Sequence, residues 1–279
     1  FDVALTDVDV RLGRALQPLA FESVTGRFGG RQIANGFDFN TEGLRFNTRD
    51  GLRWPGGNLA MVYTDTDTVG GGGQRGELKA DRLDLATLAQ IAARLPLGTD
   101  THALIASYAP KGLVETIDAR WQLPREGAMT YAARGRVAGL ELSSLPSALV
   151  YTGTTPHPHA GRPGVSGAAV DFDVTHDGGK AGVSIARGFI DVPGIFEDPR
   201  IPLDSLSMDA QWKTSGAKIE TQLRNVRFSG DDAEGVAQRV WQSGEPGSLG
   251  VIDLQGSLSR GNGARVHRYL PLVLPDRVR

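Results

Sequence analysis

The sequence contains no cysteine, which excludes thiol catalysis, disulfides and thiolate zinc sites. The compartment stays open on that ground, because cytosolic and envelope proteins alike can do without the residue. No apolar run approaches the roughly 18 residues that a membrane-crossing helix requires. A surplus of one charge sign is also missing. Lys and Arg total 30 against 32 Asp and Glu, mixed along the chain, and the pI is about 6.2. Nucleic-acid binders carry a basic stripe or surplus, so no nucleic-acid partner is expected. There is no initiator Met. The chain opens at Phe1 inside a strand-like pattern and ends at Arg279 soon after an apolar, Pro-bearing run. Both ends read as cut from something longer, with any signal or anchor expected outside these residues.

What is abundant is glycine and proline. Gly 37 and Pro 15 make up nearly a fifth of 279 residues, against an ordinary usage of about 12%. Without low-complexity tracts, this implies many turns and many short elements. Between the turns the dominant signal is period-2 alternation. On 113–123, Leu113, Ile117, Ala119, Trp121 and Leu123 take one face and Thr116, Asp118, Arg120 and Gln122 the other. The pattern recurs on 129–137 (Met129, Tyr131, Ala133, Val137), 168–175 (Ala168, Val170, Phe172, Val174) and 181–185 (Ala181, Val183, Ile185). It continues on 205–213 (Leu206, Met208, Ala210, Trp212), 217–223 (Ile219, Leu223) and, more weakly, 252–258. In the first third, strand-like runs lie near 2–12, 18–28, 31–39, 43–49, 58–64 and 75–83. Turns are expected at Gly29-Gly30, Asp50-Gly51, Pro55-Gly56-Gly57 and Gly70 to Gly73. One-sided alternation predicts antiparallel strands with one buried and one wet face. A dozen or more strands is many for an open sheet, so the sheet is expected to curl, fold over or close.

Three segments break the alternation. Residues 85–95 place Leu85, Leu88, Ile91, Ala92 and Leu95 at helical spacing, between Asp84 as N-cap and Pro96 as stop, which predicts a helix with Leu88, Ile91 and Leu95 buried. Shorter helices are expected over 101–108 and 264–270. The Pro- and Gly-rich loop 143–164 is a soft division within what otherwise reads as one continuous β segment over 1–279.

Candidate chemistry is sparse. The run Gly70 to Gly73 continues as Gln74-Arg75-Gly76 into a strand-like stretch, not as the Gly-Lys-Ser/Thr and helix of a phosphate loop, and reads as a hairpin loop. His157-Pro158-His159 is the one paired histidine, but a metal site needs further ligands, and His102, His176 and His267 are scattered. Asp65-Thr66-Asp67 and Asp231-Asp232 adjoin Gly-bearing segments and read as solvated turns. There is no Gly-x-Ser-x-Gly elbow and no His-Glu-x-x-His. Catalytic residues, metals and cofactors are therefore not expected, nor is enzymatic activity. The remaining feature is the set of large apolar residues on the strands. Two readings stay open: the core of an ordinary sandwich or barrel, or an apolar face left open for lipid. Periodicity does not separate them.

Three motifs, in order, carry a resemblance. They are Gly76-Glu77-Leu78-Lys79-Ala80-Asp81-Arg82-Leu83-Asp84-Leu85-Ala86-Thr87-Leu88 followed by Arg94-Leu95-Pro96-Leu97; Ile201-Pro202-Leu203-Asp204-Ser205-Leu206 before Trp212; and Leu258-Ser259-Arg260 with Ala264-Arg265-Val266-His267-Arg268-Tyr269-Leu270-Pro271. Together, from about residue 18 onward, they resemble the YhdP-like members of the AsmA-like family of bacterial envelope proteins. The resemblance implies a mainly β fold, a long bent antiparallel sheet around an apolar groove (a β-taco). It implies an internal piece of a long periplasmic protein of Gram-negative bacteria, anchored in the inner membrane by a helix outside this segment. It also implies a bridge-like lipid transfer protein that shields phospholipid acyl chains between inner and outer membrane and supports outer-membrane barrier integrity. Its partners would be phospholipids and, through the full-length protein, components of both membranes. The groove-lining set expected on this reading is Ile117, Trp121 and Tyr131; Val170, Phe172 and Val174; Val183 and Ile185; Leu206, Met208 and Trp212; Ile219 and Leu223. The alternative is a structural β-sandwich spacer or docking module of the envelope with a closed core. A glycan-acting β-sandwich enzyme using Asp residues has little support in the sequence.

Overall fold

The structure, a computed structural model, describes residues 1–11, 16–54, 56–66, 72–146, 148–152, 155–159, 161–216, 218–242, 251–272 and 274. Of 148–152, 155–159, 239, 241–242, 251–252 and 254 it describes the backbone alone. The strands are, in chain order, β1 (Asp2–Val10), β2 (Leu19–Ile33), β3 (Gly36–Thr48), β4 (Arg53–Trp54), β5 (Leu59–Thr66) and β6 (Gly73–Asp84). Helices α1 (Leu85–Ala92) and α2 (Thr99–Tyr108) interrupt them. Then come β7 (Lys111–Pro124), β8 (Thr130–Leu142), β9 (Ala148–Thr152), β10 (Thr155–His159), β11 (Gly164–Thr175), β12 (Gly178–Asp191) and β13 (Arg200–Ser215). The chain closes with β14 (Lys218–Ser229), β15 (Ala233–Gln242), β16 (Val251–Gly261) and a 3₁₀ helix (Gly263–Tyr269). The protein is mainly β, as the alternation predicts. The hydrogen-bonded order is β1-β2-β3-β5-β6-β7-β8-β11-β12-β13-β14-β15-β16 in one 14-stranded open sheet, with β4 on β3, and β9–β10 form a separate hairpin inside the Pro-rich loop. The chain divides into two compact units, Phe1–Ala138 with Phe172–His176, and Gly139–Asp171 with Asp177–Arg279.

In the first unit the hairpin between β2 and β3 turns at Ala34-Asn35, with Asn35 at φ +58°. The sequence reading put the turn at Gly29-Gly30, but both lie inside β2, opposite Asn40 and Phe39. Gly29 is there because its Cβ would strike the Asn40 side chain. The buried residues gather at one end. Phe46 stacks on Trp54 (5.7 Å) and receives Phe21 edge-on (5.4 Å), beside buried Leu52, with Leu83 paired to Val114 nearby along the chain's β6–β7 ladder.

Helix α1 follows β6 directly. Asp84 caps it as predicted, its Oδ1 accepting from the Thr87 backbone N–H at 2.7 Å. Thr87, the buried residue of the helix, donates through its hydroxyl to the Arg53 carbonyl (3.3 Å). Just beyond the helix, the buried Arg94 guanidinium is bonded to Asp50, which also accepts from the Thr48 hydroxyl. The arginine and the threonine together hold the Asp50 carboxyl below the usual carboxylate range. Leu88, Ile91 and Leu95, expected to be buried, are half-buried. An eight-residue helix offers about two turns, and α2 and the strands β6 and β7 pack against it.

In the second unit the core is Ala168, Ile185, Leu203 and Leu206, with Val183, Met208, Val226, Phe228, Ile190 and Ile201 packed around it. Ile185 and Ile190 both join this core although they differ in parity, as do Leu206 and Leu203. The break falls at Arg187, at φ +61°, in the middle of β12: neither it nor Asp204 across from it has a register partner, and the alternation of both strands inverts there without a shift of register. Asn225, at φ +53°, likewise inverts the alternation in β14, and there the register with β13 shifts between Ser207 and Asp209.

Candidate functional site: an apolar sheet face

Antiparallel partners place their side chains on one face of the sheet, so registers alone assemble the face. In the first unit, Phe37 pairs with Tyr63, Phe39 with Met61 and Thr41 with Leu59. Tyr63 pairs with Gly76, Met61 with Leu78 and Leu59 with Ala80. Gly76 pairs in turn with Trp121, Leu78 with Ala119 and Ala80 with Ile117. This is a face four strands wide, apolar except at Thr41. Phe28 of β2 extends it, its ring 6.1 Å from that of Phe39, while the Phe37 and Tyr63 rings stack at 5.5 Å. The opposite face of the same strands is charged. Arg31 pairs Asp38 (3.0 Å) and Arg134 pairs Asp118 (3.0 Å), with Lys79 opposite Asp118. Most of the apolar face is half-buried, and Phe37 remains 42% exposed.

The second unit has its own apolar face. Val183 pairs with Met208 and Ile185 with Leu206; Leu206 pairs with Phe228 and Ala210 with Leu223. Here the centre is packed more tightly, Ile185 being 2% and Leu206 7% exposed. Trp212, opposite Thr221, is half-buried; Ile219, opposite Thr214, is 39% exposed. Val170 packs against the core. Of the remaining expected positions, Phe172 lies over Gly135 in the first unit, where a Cβ would also meet Ile117. Val174 is half-buried, and Tyr131, 44% exposed, sits edge-on to His176. The expected residues are thus brought together within each unit, Ile117 with Trp121 in one and Val183 to Leu223 in the other.

A family model described as YhdP protein matches residues 1–279, the whole chain. The chain belongs to the YhdP family. No curated protein and no solved structure matches it. The family is one of bacterial envelope proteins related to lipid transport.

The YhdP-family chain holds apolar positions that the sequence reading passed over: Phe28, Phe37, Phe39, Met61, Tyr63 and Leu78. The alternation Phe37-Asp38-Phe39 and Met61-Val62-Tyr63 was present, but the misplaced turn hid their pairing. Among the described residues no group of three His, Asp or Glu is close enough to hold a metal ion, and no helix is long and apolar enough to cross a membrane. The side chains of His157 and His159 lie outside the described residues, as do Asp67, Gly70 and Gly71.

Asp232, expected in a solvated turn, is buried. It accepts from Arg265 Nη1 (2.9 Å), Arg268 Nη1 (2.9 Å) and the Tyr269 hydroxyl (2.8 Å), tying the 3₁₀ helix to the β14–β15 turn. The Tyr269 hydroxyl and the two guanidinium groups hold its carboxyl below the usual range, while burial and Asp232 push the Tyr269 phenol up. Arg268 also reaches Asp198 at 2.5 Å, lowering that carboxyl too. With its lone pairs satisfied and its partners all from the same unit, Asp232 is a structural tie.

Proposed function

We propose that this YhdP-family segment shields the acyl chains of phospholipids along its apolar sheet faces, as part of a periplasmic bridge between inner and outer membrane that supports the outer-membrane barrier. The observation that carries the reading is the register-matched face of the first unit, where Phe28, Phe39, Met61, Tyr63, Leu78 and Trp121 share one side of the sheet and stay half-buried. A filled sandwich would bury such residues; here they are half-buried. Each CH₂ removed from water is worth about 0.8 kcal/mol, so a continuous apolar track lowers the cost of moving an acyl chain through an aqueous space. No sharp recognition site is required, and head groups would stay in water. A photocrosslinking residue at Met61 or Tyr63 in the full-length protein should capture phospholipid, and one at Val62, on the opposite face, should not. Equal capture from both faces, or none from either, overturns the proposal.

The spacer reading draws on the second unit, where Ala168 and Ile185 are 1% and 2% exposed in a packed cluster. Crosslinkers at Val183 or Met208 that capture no lipid, beside productive ones at Met61, would restrict lipid contact to the first unit and leave the second as support.

A further inference from the structure

The second unit carries an open groove of about 500 Å³ on the polar side of its sheet, lined by residues of β14, β15 and β16. Its polar walls are Arg224 and Arg227 from β14, Gln238 from β15, and Gln255 and Ser257 from β16. The registers fix which side this is. Leu223, Val226 and Phe228 share a face with Ala210, Ala237 and Leu206, whereas Arg224 is opposite Asp209, Arg227 opposite Ser207 and Val236, and Val236 opposite Ser257. Arg224 and Arg227 are three apart and would fall on opposite faces of a regular strand. The left-handed Asn225 between them absorbs one residue and brings both guanidinium groups to the same side.

Neither arginine is ion-paired among the described residues, although the Asp209 carboxylate stands opposite Arg224 on the same face. The Asp209 carboxylate accepts from the Asn225 amide at 2.7 Å, and Arg224 donates from Nη2 to Gln222 Oε1 at 2.8 Å. The two guanidinium forks stand on β14, and the amides of Gln238 and Gln255 and the Ser257 hydroxyl on the adjacent strands β15 and β16. A carboxylate has two coplanar oxygens that a single fork satisfies, whereas a phosphate directs its unesterified oxygens, three in a monoester and two in a diester, tetrahedrally. The volume exceeds that of a bare phosphate and leaves room for its ester substituent.

We propose that this pocket binds the phosphate of a phosphoester, with Arg224 and Arg227 holding the anion and Gln238, Gln255 and Ser257 donating to its remaining oxygens. The site is separate from the acyl-chain reading, because its residues point away from the apolar face. Its ligand is a soluble phosphoester or the head group of an anionic membrane lipid, and the two are distinguished by experiment. The full chain is titrated with glycerol 3-phosphate by calorimetry and, separately, floated with phosphatidylglycerol or phosphatidylcholine vesicles. Saturable calorimetric binding assigns a soluble ligand; flotation with phosphatidylglycerol alone assigns a membrane head group. In either case the double variant Arg224→Gln/Arg227→Gln should weaken binding by about tenfold or more, while Lys79→Gln, a cation removed from the first unit, should not. Arg227→Gln alone, which breaks no ion pair of the fold, should already weaken it and guards against loss of folding in the double variant. Absence of binding to both probes, or binding unchanged in Arg227→Gln and in the folded double variant, overturns the site.

Discussion

Trp121 covers Gly76 across the β6–β7 ladder, so that a Cβ on the glycine would lie 1.9 Å from the indole Cζ2. An aromatic ring covering a cross-strand glycine shields a backbone that has no side chain of its own, and Gly76 is also the register partner of Tyr63. The glycine is thus required for the two aromatic residues to share one face. Gly76→Ala should displace the indole and destabilise the first unit by about 1–3 kcal/mol, the usual cost of overpacking. Urea denaturation followed by tryptophan fluorescence measures it; an unchanged midpoint would mean that the ring is not held there.

Three carboxyls, Asp50, Asp198 and Asp232, are held below their ordinary range, Asp50 and Asp232 by arginine and hydroxyl partners and Asp198 by Arg268 and the Arg200 backbone N–H. A carboxyl with a lowered folded-state pKa contributes stability that is fully present above the unfolded value, about 3.9, and is lost as pH falls through the folded value. Stability should therefore be flat from neutral pH down to about 5 with respect to these groups and fall below about 4. Asp232→Asn should lower Tm at pH 7, leaving Arg265 and Arg268 without their shared carboxylate, and should make the acid-induced fall shallower. A Tm at pH 7 equal to that of the wild type would exclude the tie between the 3₁₀ helix and the β14–β15 turn.

The cap of α1 is a single contact, the Asp84 carboxylate on the Thr87 N–H. Asp84→Ala should cost about 1 kcal/mol, and Asp84→Ser should recover most of it. Amide hydrogen exchange of residues 85–92 is the readout, since the helix can fray without unfolding the sheet.

The strands were legible because alternation reports one wet and one apolar face, and the Asp84 start of α1 because capping is local chemistry. The errors share a cause. Asn35-Gly36, a strong hairpin signal, was passed over in favour of Gly29-Gly30, whose role is close approach to Asn40 and Phe39 and depends on a partner strand. The run recognised as 181–185 continues to Asp191, and that of 217–223 continues to Ser229, because Arg187 and Asn225 invert the phase and a period-2 window stops there. Two residues of opposite parity, such as Ile185 and Ile190, then meet in one core, which strict alternation does not foresee. Asp232 looked solvated because its partners lie 33 to 37 positions further along the chain.

A charge placed on the apolar faces should separate lipid contact from packing. Met61 is half-buried on the four-strand face of the first unit, while Ile185 is 2% exposed in the core of the second. In Met61→Asp the carboxylate can reach water, so the chain should fold with little loss of stability. It would nevertheless stand among Phe39, Leu78 and Tyr63, where an acyl chain would have to pass a solvated anion. In Ile185→Asp the charge has no partner and no water, and desolvation should cost several kcal/mol and unfold the second unit. Met61→Leu, which conserves volume and polarity, should behave as the wild type. The measurement is phospholipid crosslinking from Tyr63 in the full-length protein, with Tm recorded in parallel. Loss of crosslinking in a folded Met61→Asp, and its retention in Met61→Leu, follow if the face carries acyl chains. A folded Met61→Asp that still crosslinks as the wild type does would mean that lipid does not run along this face, and the packed-spacer account would then extend to both units.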